Sequence, residues 1–229
     1  MDFSTPGVLD SPRFSRALEV VGSVASVPVS GTLADFLELL VRWNRRINLV
    51  SRVSDPVKIL ADALVDAAAL TRILGTVEGS ERTESCPRQT VADLGAGAGL
   101  VSVSLSLLAP GLDLVLVESN TRKAGFLRRV AALLADLRTG GFEVENARLE
   151  DIEEGPHRHR LWRAAFSRAV WPPAQGWRRA APHLPTGGRY IALVGPGVTA
   201  PEGWNQVLYA DLFPHPGDYR SRSLLWRSK

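Results

Sequence analysis

Three glycines alternate with alanines directly after a short apolar run. Gly95, Gly97 and Gly99 precede Leu100, where a second apolar segment begins. Because glycine has no Cβ, a turn of this kind lets a ligand lie against bare backbone. A helix that starts at the end of the turn presents unpaired backbone N–H groups to the same ligand. The spacing therefore predicts a ligand-binding turn between a strand and a helix.

An acidic residue, Glu118, ends the next apolar run, at 112–117. A carboxylate at the end of the second strand of such a unit accepts hydrogen bonds from the hydroxyls of a ribose. The glycines follow the pattern G-x-G-x-G, and Leu100 stands where a dinucleotide fingerprint has Gly or Ala. These features favour S-adenosylmethionine (AdoMet) as the cofactor. A nicotinamide or flavin dinucleotide, and a purely structural glycine turn, stay open as alternatives.

Strands and helices alternate from Thr90 onward. We predict strands at 90–94, 113–118, 142–146, 163–167 and 189–194, with helices at 99–109, 122–137 and 173–182. This alternation is typical of a doubly wound parallel sheet with helices on both faces. Near the C-terminus, two apolar-rich runs at 205–212 and 221–226 are separated by prolines and a glycine. They predict an antiparallel hairpin that closes the sheet.

The first part of the chain reads as helical. The apolar spacing predicts helices at 14–21, 33–47 and 56–74. Thr32 is the expected N-cap of the second helix. Asp55 caps the third helix, Pro56 stands at its first position and Gly75 ends it. Residues 75–89 have little apolar content and read as a linker. We therefore predict an N-terminal helical extension with a linker over 1–89 and an AdoMet-binding core over 90–229.

Composition fits one α/β domain with an extension. The chain has 229 residues, of which 45% are hydrophobic, so it can bury a sizeable core without disulfides. Cys86 is the single cysteine, so no intrachain disulfide can form, and we expect a reducing, cytoplasmic location. No secretory signal pattern and no run of about 20 apolar residues is visible, so we expect no membrane partner.

The charge pattern favours a polyanion partner. The net charge is only +3, yet the stretch 155–201 contains no Asp or Glu. Its cationic residues are Arg158, Arg160, Arg163, Arg168, Arg178, Arg179 and Arg189, with His157, His159 and His183. A one-sided positive face is the footprint of a nucleic-acid partner, although a solvated arginine-rich surface has the same sequence. His157 and His159 have no evident third ligand, so we predict no metal site.

Further candidate residues follow the later strands. Glu150 is placed to accept a hydrogen bond from an adenine amino group, although a solvated acidic turn reads the same. Arg168 ends the fourth predicted strand, at the edge where open α/β sheets bind ligands. Its guanidinium suits a methionyl carboxylate or a substrate phosphate, and capping of nearby carbonyls is the alternative. Trp171 precedes two prolines where enzymes that methylate exocyclic amines carry an acid or an amide, so that chemistry is not supported. Two roles stay open for Trp171: stacking on a base, or anchoring the chain by hydrophobic contacts.

Several strings in a fixed order resemble one protein family. They are Trp43-Asn44 with Asn48-Leu49 and Ser51, Asp55-Pro56, Asp93 with the glycine turn, Glu118-Ser119, Lys123 with Phe126-Leu127-Arg128, Arg148 with Glu150-Asp151, Ser167-Arg168-Ala169, and Gly187-Gly188-Arg189-Tyr190 with Ala192-Leu193. From Leu33 to the C-terminus the chain resembles the bacterial 16S ribosomal RNA guanine-N7 methyltransferases, the RsmG/GidB family.

The resemblance implies the class I AdoMet-dependent methyltransferase fold, which is Rossmann-like, and transfer of a methyl group to guanine N7. The implied partner is small-subunit ribosomal RNA or a ribosome assembly intermediate, and we expect a monomer. AdoMet contacts carry over to Gly95, Leu100, Leu149, Glu150 and Arg168, beside Gly97, Gly99 and Glu118 from the motif itself. No catalytic residue is assigned, because N7 carries a lone pair and needs no general base; Arg168 is the candidate for positioning.

The chain departs from the family pattern at three places. Val101-Ser102 replaces a common Pro-Gly pair, Ala63 replaces a histidine, and Val194 replaces a lysine. We expect the last two changes to remove polar groups that face substrate while leaving AdoMet binding intact. Two other hypotheses therefore stay open: a non-catalytic RNA-binding protein with the AdoMet fold, and a methyltransferase for a small molecule.

Overall fold

A computed structural model describes residues 11–21, 29–51, 53–75, 90–137, 139–152 and 161–229. The helices are α1 Pro12–Val21, α2 Val29–Asn44, α3 Pro56–Gly75, α4 Leu100–Leu108, α5 Thr121–Leu134, α6 Leu149–Ile152, α7 Pro173–Ala180 and α8 Tyr209–Leu212. The strands are β1 Thr90–Leu94, β2 Asp113–Val117, β3 Phe142–Glu145, β4 Ala164–Arg168, β5 Arg189–Val194, β6 Asn205–Leu208 and β7 Ser223–Ser228. Within these ranges, no helix combines the length and the apolar character that a membrane span requires.

One seven-stranded sheet has the order β3-β2-β1-β4-β5-β7-β6. The strands from β3 to β5 pair in parallel, whereas β7 runs antiparallel to both β5 and β6. The predicted doubly wound sheet with an antiparallel C-terminal hairpin is confirmed. The strand order reverses at β1, which lies between β2 and β4, and a reversal of this kind opens a crevice at the carboxyl ends of the strands.

Two core layers cover the sheet because its side chains alternate in direction. On one face, Leu114 and Leu116 of β2 pack with apolar residues of α1 to α5. On the other face, Val115 and Val117 pack with apolar residues of α6 and α7. The helices that precede the sheet therefore share a core with it. The boundary that we placed between residues 89 and 90 stays a prediction.

The N-cap predicted for the second helix is wrong. We expected Thr32 to start a helix over 33–47, but α2 begins at Val29 and ends at Asn44. The helix ends early because the Asn44 side-chain oxygen accepts hydrogen bonds from the N–H groups of Leu49 (2.8 Å) and Val50 (3.1 Å). This side chain folds the following residues back across the helix end.

The predicted strand 205–212 is half wrong. Only Asn205–Leu208 forms β6, and the remainder forms the short helix α8. The Tyr209 ring is buried, and its phenol donates a 2.8 Å hydrogen bond to Asp66 of α3. A short apolar run does not reveal whether it is helix or strand, so tertiary contacts decided this segment. The other predicted elements, including the cap of α3 by Asp55, agree with the structure to within a few residues.

The end of α2 is fixed to the helix that starts beside the glycine turn. The ring of Trp43 lies 5.7 Å from the ring of Phe126 in α5, measured between centroids. Because Leu49 is buried in the same core, the string from Trp43 to Leu49 has a structural role in this chain.

Replacement of Asn44 by Ala should destabilise the protein. The change leaves two partly buried N–H groups without their acceptor, which costs about 1–3 kcal/mol. The measurement is the free energy of unfolding from urea titration. Asn44→Asp is the control, because a carboxylate keeps the acceptor and should retain most of the stability. An Ala variant as stable as the wild type would contradict this role.

Candidate functional site

The glycine turn curls from the end of β1 toward the end of β2. Gly95, Gly97 and Gly99 all have positive φ values, of 75°, 60° and 69°, and Gly99 is the N-cap of α4. L side chains rarely adopt this backbone region, so the turn depends on glycine. The N–H groups of Gly95 and Ala96 both donate to the carbonyl oxygen of Val117, at 2.9 and 3.1 Å.

The Glu118 carboxylate joins the loops that follow β1 and β2. One of its oxygens accepts a 2.8 Å hydrogen bond from the Gly97 N–H, and the other accepts a 2.7 Å bond from the Asn120 N–H. The side chain is buried. Since each carboxylate oxygen has a second lone pair, both can still accept a hydroxyl. The ribose role of Glu118 stays a prediction, and the structure adds a bracing role that the sequence did not indicate.

The three glycines differ in why they are needed. A Cβ on Gly99 would lie 2.6 Å from a methyl group of Leu127, and one on Gly95 would lie 2.8 Å from Val170. A Cβ on Gly97 would meet nothing nearer than the Gly95 carbonyl oxygen, at 3.9 Å. A side chain at Gly95 or Gly99 would therefore have to displace Val170 or Leu127, whereas the space beside Gly97 is open.

A cavity of about 390 Å³ opens beside the turn. Its lining residues are Gly95, Val117, Ser119, Ala147, Arg148, Leu149, Glu150, Val170, Trp171 and Arg179. This size suits a small-molecule cofactor. The structure therefore brings the predicted residues Gly95, Leu149 and Glu150 to one cavity. Gly97, Gly99 and Glu118 belong to the adjoining loops, Leu100 begins α4 and Arg168 ends β4, and none of them is part of this lining.

Sequence reasoning missed the partner of Glu150. Its carboxylate forms an ion pair with Arg179 of α7, and the Arg179 guanidinium lies 5.3 Å from the ring centroid of Trp171. These three side chains come from three separate segments and form one wall of the cavity. No local signal links them, because the pairing depends on how α6 and α7 pack on the same face of the sheet.

Asp93 is a buried acid behind the turn. The Ser102 hydroxyl donates a 2.5 Å hydrogen bond to its carboxylate. Burial raises the pKa of Asp93 to about 7, and the negative charge of Glu118 adds to the rise, while the Ser102 bond and the charge of Arg168 oppose it. Ser102 belongs to the Val101-Ser102 departure, which thus supplies a hydroxyl to this buried acid.

Arg168 is tied to the leading helices. It is the last residue of β4, and its Nε lies 3.2 Å from a carboxylate oxygen of Asp66 in α3. The next residue, Ala169, has a φ of 56°, so the chain turns sharply there at a cost in backbone strain. A tertiary ion pair, and not only the strand end, positions this arginine.

The two other departures lie in different surroundings. Ala63 is fully buried within α3 and packs in the core, so this position does not face the cavity. Val194 ends β5 and is half-buried against the second core layer. The expectation that both positions face a substrate fails for Ala63 in this chain.

The acid-free stretch is not one free positive face. Arg168 pairs with Asp66, and Arg179 pairs with Glu150. His157, His159, Arg158 and Arg160 lie outside the described residues. Acids contributed by other segments neutralise part of the stretch, which a count along the sequence cannot show. A polyanion partner would therefore have to bind a different surface.

The fold and the site define a class. A sheet with this order and an antiparallel seventh strand, a glycine turn before α4 and an acid after β2 are the features of a class I AdoMet-dependent methyltransferase. A methyltransferase from Geobacter sulfurreducens has this fold, with a TM-score of 0.52 and 15% identity over 96% of this chain and 97% of that one. The plantazolicin methyltransferase BpumL, in complex with SAH, matches with a TM-score of 0.50 and 8% identity over 94% and 99%.

Sequence comparison gives the family. Residues 30–198 match the family model GidB, described as rRNA small subunit methyltransferase G. A protein named ribosomal RNA small subunit methyltransferase G from Leptothrix cholodnii is 30% identical over 87% of this chain and 88% of its own length. The protein of that name from Symbiobacterium thermophilum is 32% identical over 71% of this chain, which spans 63% of that relative. The chain belongs to the GidB family.

The pKa of Asp93 predicts how stability changes with pH. Its ordinary value of 3.8 applies to the unfolded chain, against about 7 in the folded protein. Between these values folding takes up a proton, so the free energy of unfolding contributed by this group falls as the pH rises. In the variant Asp93→Asn, the amide side chain takes up no proton on folding. Relative to wild type, the variant should therefore gain roughly 1–3 kcal/mol between about pH 5 and about pH 8.

Urea unfolding of both proteins at the two pH values measures this difference. The wild type itself is the control for other titrating groups, because these are common to both chains. A stability difference that does not change with pH would show that Asp93 ionises normally.

Proposed function

We propose that this chain transfers the methyl group of AdoMet to guanine N7 in small-subunit ribosomal RNA. The observation that carries the proposal is the open space beside Gly97, whose N–H is held by Glu118 in the turn that adjoins the cavity. Membership of a family described as rRNA small subunit methyltransferase G supports the RNA substrate.

The residues at the site fit AdoMet, which supplies an electrophilic methyl group when bound. The bare backbone of the glycine turn lets the ligand approach closely, and Leu149 offers the cavity an apolar wall. Glu118 has lone pairs left for the ribose hydroxyls. Glu150 lines the cavity and is the proposed acceptor for the adenine amino group. Arg168 is the proposed partner of an oxyanion.

Methylation at N7 does not require the protein to remove a proton from the base. N7 has an in-plane lone pair, so no proton has to leave before it attacks. The protein has to orient the base toward the methyl group, and orientation alone accounts for roughly 7–11 kcal/mol of a barrier. We therefore assign no general base, and the loss of the lysine at position 194 removes no chemical step.

A surface formed by α2 and α5 supports RNA as the partner. The contact between Trp43 and Phe126 places the C-terminal end of α2 against α5. Exposed arginines follow or belong to these helices: Arg45, Arg46, Arg122, Arg128 and Arg129. The segment Thr121–Leu134 contains no Asp or Glu. Arginines on such a surface contact phosphates and make binding depend on salt. We propose a cytoplasmic monomer that acts on RNA or on an assembly intermediate.

Replacement of Gly97 by Asp tests the cofactor site. The new side chain has space in the protein but would occupy the ligand's place, with a negative charge beside Glu118. AdoMet affinity should fall about 100-fold or more, which corresponds to about 3 kcal/mol. Calorimetry measures the affinity, and tritiated methyl transfer to small-subunit RNA measures the activity.

Gly203→Asp is the matched control. Gly203 also has a positive φ, of 74°, has open space around it and does not line the cavity. It carries the same backbone strain and charge change and should bind AdoMet like the wild type. Unchanged affinity in Gly97→Asp would refute the site. AdoMet binding by the wild type with RNA binding but no transfer would favour the non-catalytic alternative, and RNA binding without a steep salt dependence would favour a small-molecule substrate.

A further inference from the structure

Two buried carboxylates lie one turn apart on α3. Asp62 and Asp66 are 8% and 3% exposed, and their spacing places them on the same face of the helix. Burial of two like charges is costly unless cations or hydrogen-bond donors surround them. The role of the two carboxylates therefore depends on which cations and hydrogen-bond donors surround them.

Most of the partners come from the C-terminal part of the chain. Arg222 lies with one terminal nitrogen 2.8 Å from Asp62 and the other 3.2 Å from Asp66. Tyr209 donates its hydroxyl to the same Asp66 oxygen, Oδ1, at 2.8 Å. Lys58 adds a 2.9 Å ion pair to Asp62. These contacts hold one oxygen of Asp62, Oδ2, and one oxygen of Asp66, Oδ1.

The second oxygen of Asp66, Oδ2, is the one that faces Arg168. The guanidinium contacts it through Nε at 3.2 Å. Within the described part of the chain, the structure gives the Arg168 guanidinium no other hydrogen bond or ion pair. Its side chain is 31% exposed. One end of a rigid guanidinium fork is thus held, while the two terminal nitrogens stay available for a ligand.

We propose that Asp66 is a positioning residue, which fixes the Arg168 guanidinium so that its terminal nitrogens bind an oxyanion at the reaction site. The inference rests on the proposed function, which makes Arg168 part of the site. The oxyanion is either the methionyl carboxylate of AdoMet or a phosphate of the RNA. Arg222 and Tyr209 hold the opposite oxygen of Asp66 and so fix the carboxylate itself.

This arrangement links α3 to the core that follows it. Asp66 belongs to the leading helices, and Arg168 belongs to β4, about a hundred positions later in the sequence. The charge of Arg168 also acts on Asp93, behind the glycine turn. The arginine therefore lies between an acid of α3 and the acid behind the cofactor loop.

Two binding measurements on the full chain separate the sources of the oxyanion. One is AdoMet affinity by calorimetry, and the other is the salt dependence of binding to small-subunit ribosomal RNA. If Arg168 binds the methionyl carboxylate, Arg168→Ala and Asp66→Asn both weaken AdoMet by about 10- to 100-fold. If it binds a phosphate, AdoMet affinity is unchanged in both variants, and the slope of log K against log salt decreases by about 1.

A double-mutant cycle distinguishes positioning from a general structural effect. When Asp66 acts through Arg168, the double variant is no worse than Arg168→Ala alone, so the two losses are not additive. Lys58→Met is the control, because it removes an ion pair to Asp62 and leaves the contacts of Asp66 in place. It should keep the affected binding constant within about threefold of the wild type.

Arg168→Lys keeps the inference testable if Asp66→Asn does not fold. A lysine keeps the charge but is a compact ammonium, so it cannot hold Asp66 through one nitrogen while presenting two others in a fixed fork to a ligand. It should lose nearly as much binding as Arg168→Ala. Binding like the wild type by Arg168→Lys would overturn the inference.

The remaining outcomes separate this inference from the proposed function. Normal binding by Asp66→Asn, with binding impaired in Arg168→Ala, overturns the positioning role and leaves the proposed function intact. Normal binding by Arg168→Ala overturns both the positioning role and the place of Arg168 in the site. Absence of methyl transfer by the wild type contradicts the proposed function on its own, because the binding measurements need no turnover.

Discussion

The buried carboxylate of Glu118 is the interaction on which the site depends. It accepts one backbone N–H from the loop after β1 and another from the loop after β2. The two loops lead directly into α4 and α5, so a single side chain sets the starts of both helices relative to the sheet. Val117 adds two hydrogen bonds from its carbonyl oxygen to the same turn. A bare turn of three glycines has much conformational freedom to lose, and these bonds hold it in one shape.

The acids near this turn are held in different ways. Glu118 has two backbone N–H donors, whereas buried Asp93 has a single hydroxyl donor from Ser102. Burial and the neighbouring Glu118 raise the pKa of Asp93 to about 7, so it carries a proton for much of the time near neutral pH. A neutral acid beside a charged one avoids repulsion between two buried carboxylates. Arg168 opposes this rise, which couples the acid behind the turn to the ion pair with α3.

Local sequence patterns predicted the strands of the sheet well, but they did not predict the ion pairs between side chains of distant segments. The glycine turn and Glu118 could be read from the sequence because their spacing follows directly from strand and helix geometry. The partner of Glu150 could not, because Arg179 reaches it only after two helices pack on one face. The same holds for Asp66 and Arg168. The run at 205–212 was half mispredicted for a different reason. A short apolar-rich segment such as Tyr209–Leu212 fits a strand and a helix equally, and the buried contact of Tyr209 with Asp66 decides between them.

The charge of a stretch of sequence is a poor guide to the charge of the surface that it forms. The stretch without acids is rich in arginine, yet Arg168 and Arg179 are paired with acids from α3 and α6. Helix α5 has no acid of its own, and it begins three residues after Glu118. Arg122 and Lys123 therefore lie at the edge of the sheet that holds the cofactor turn. Under the proposed function, a polyanion attracted to this helix is brought toward the edge where the target base meets the methyl group. The sequence resemblance predicted the RNA partner, and we propose that it approaches over the arginines of α2 and α5 rather than over the stretch without acids.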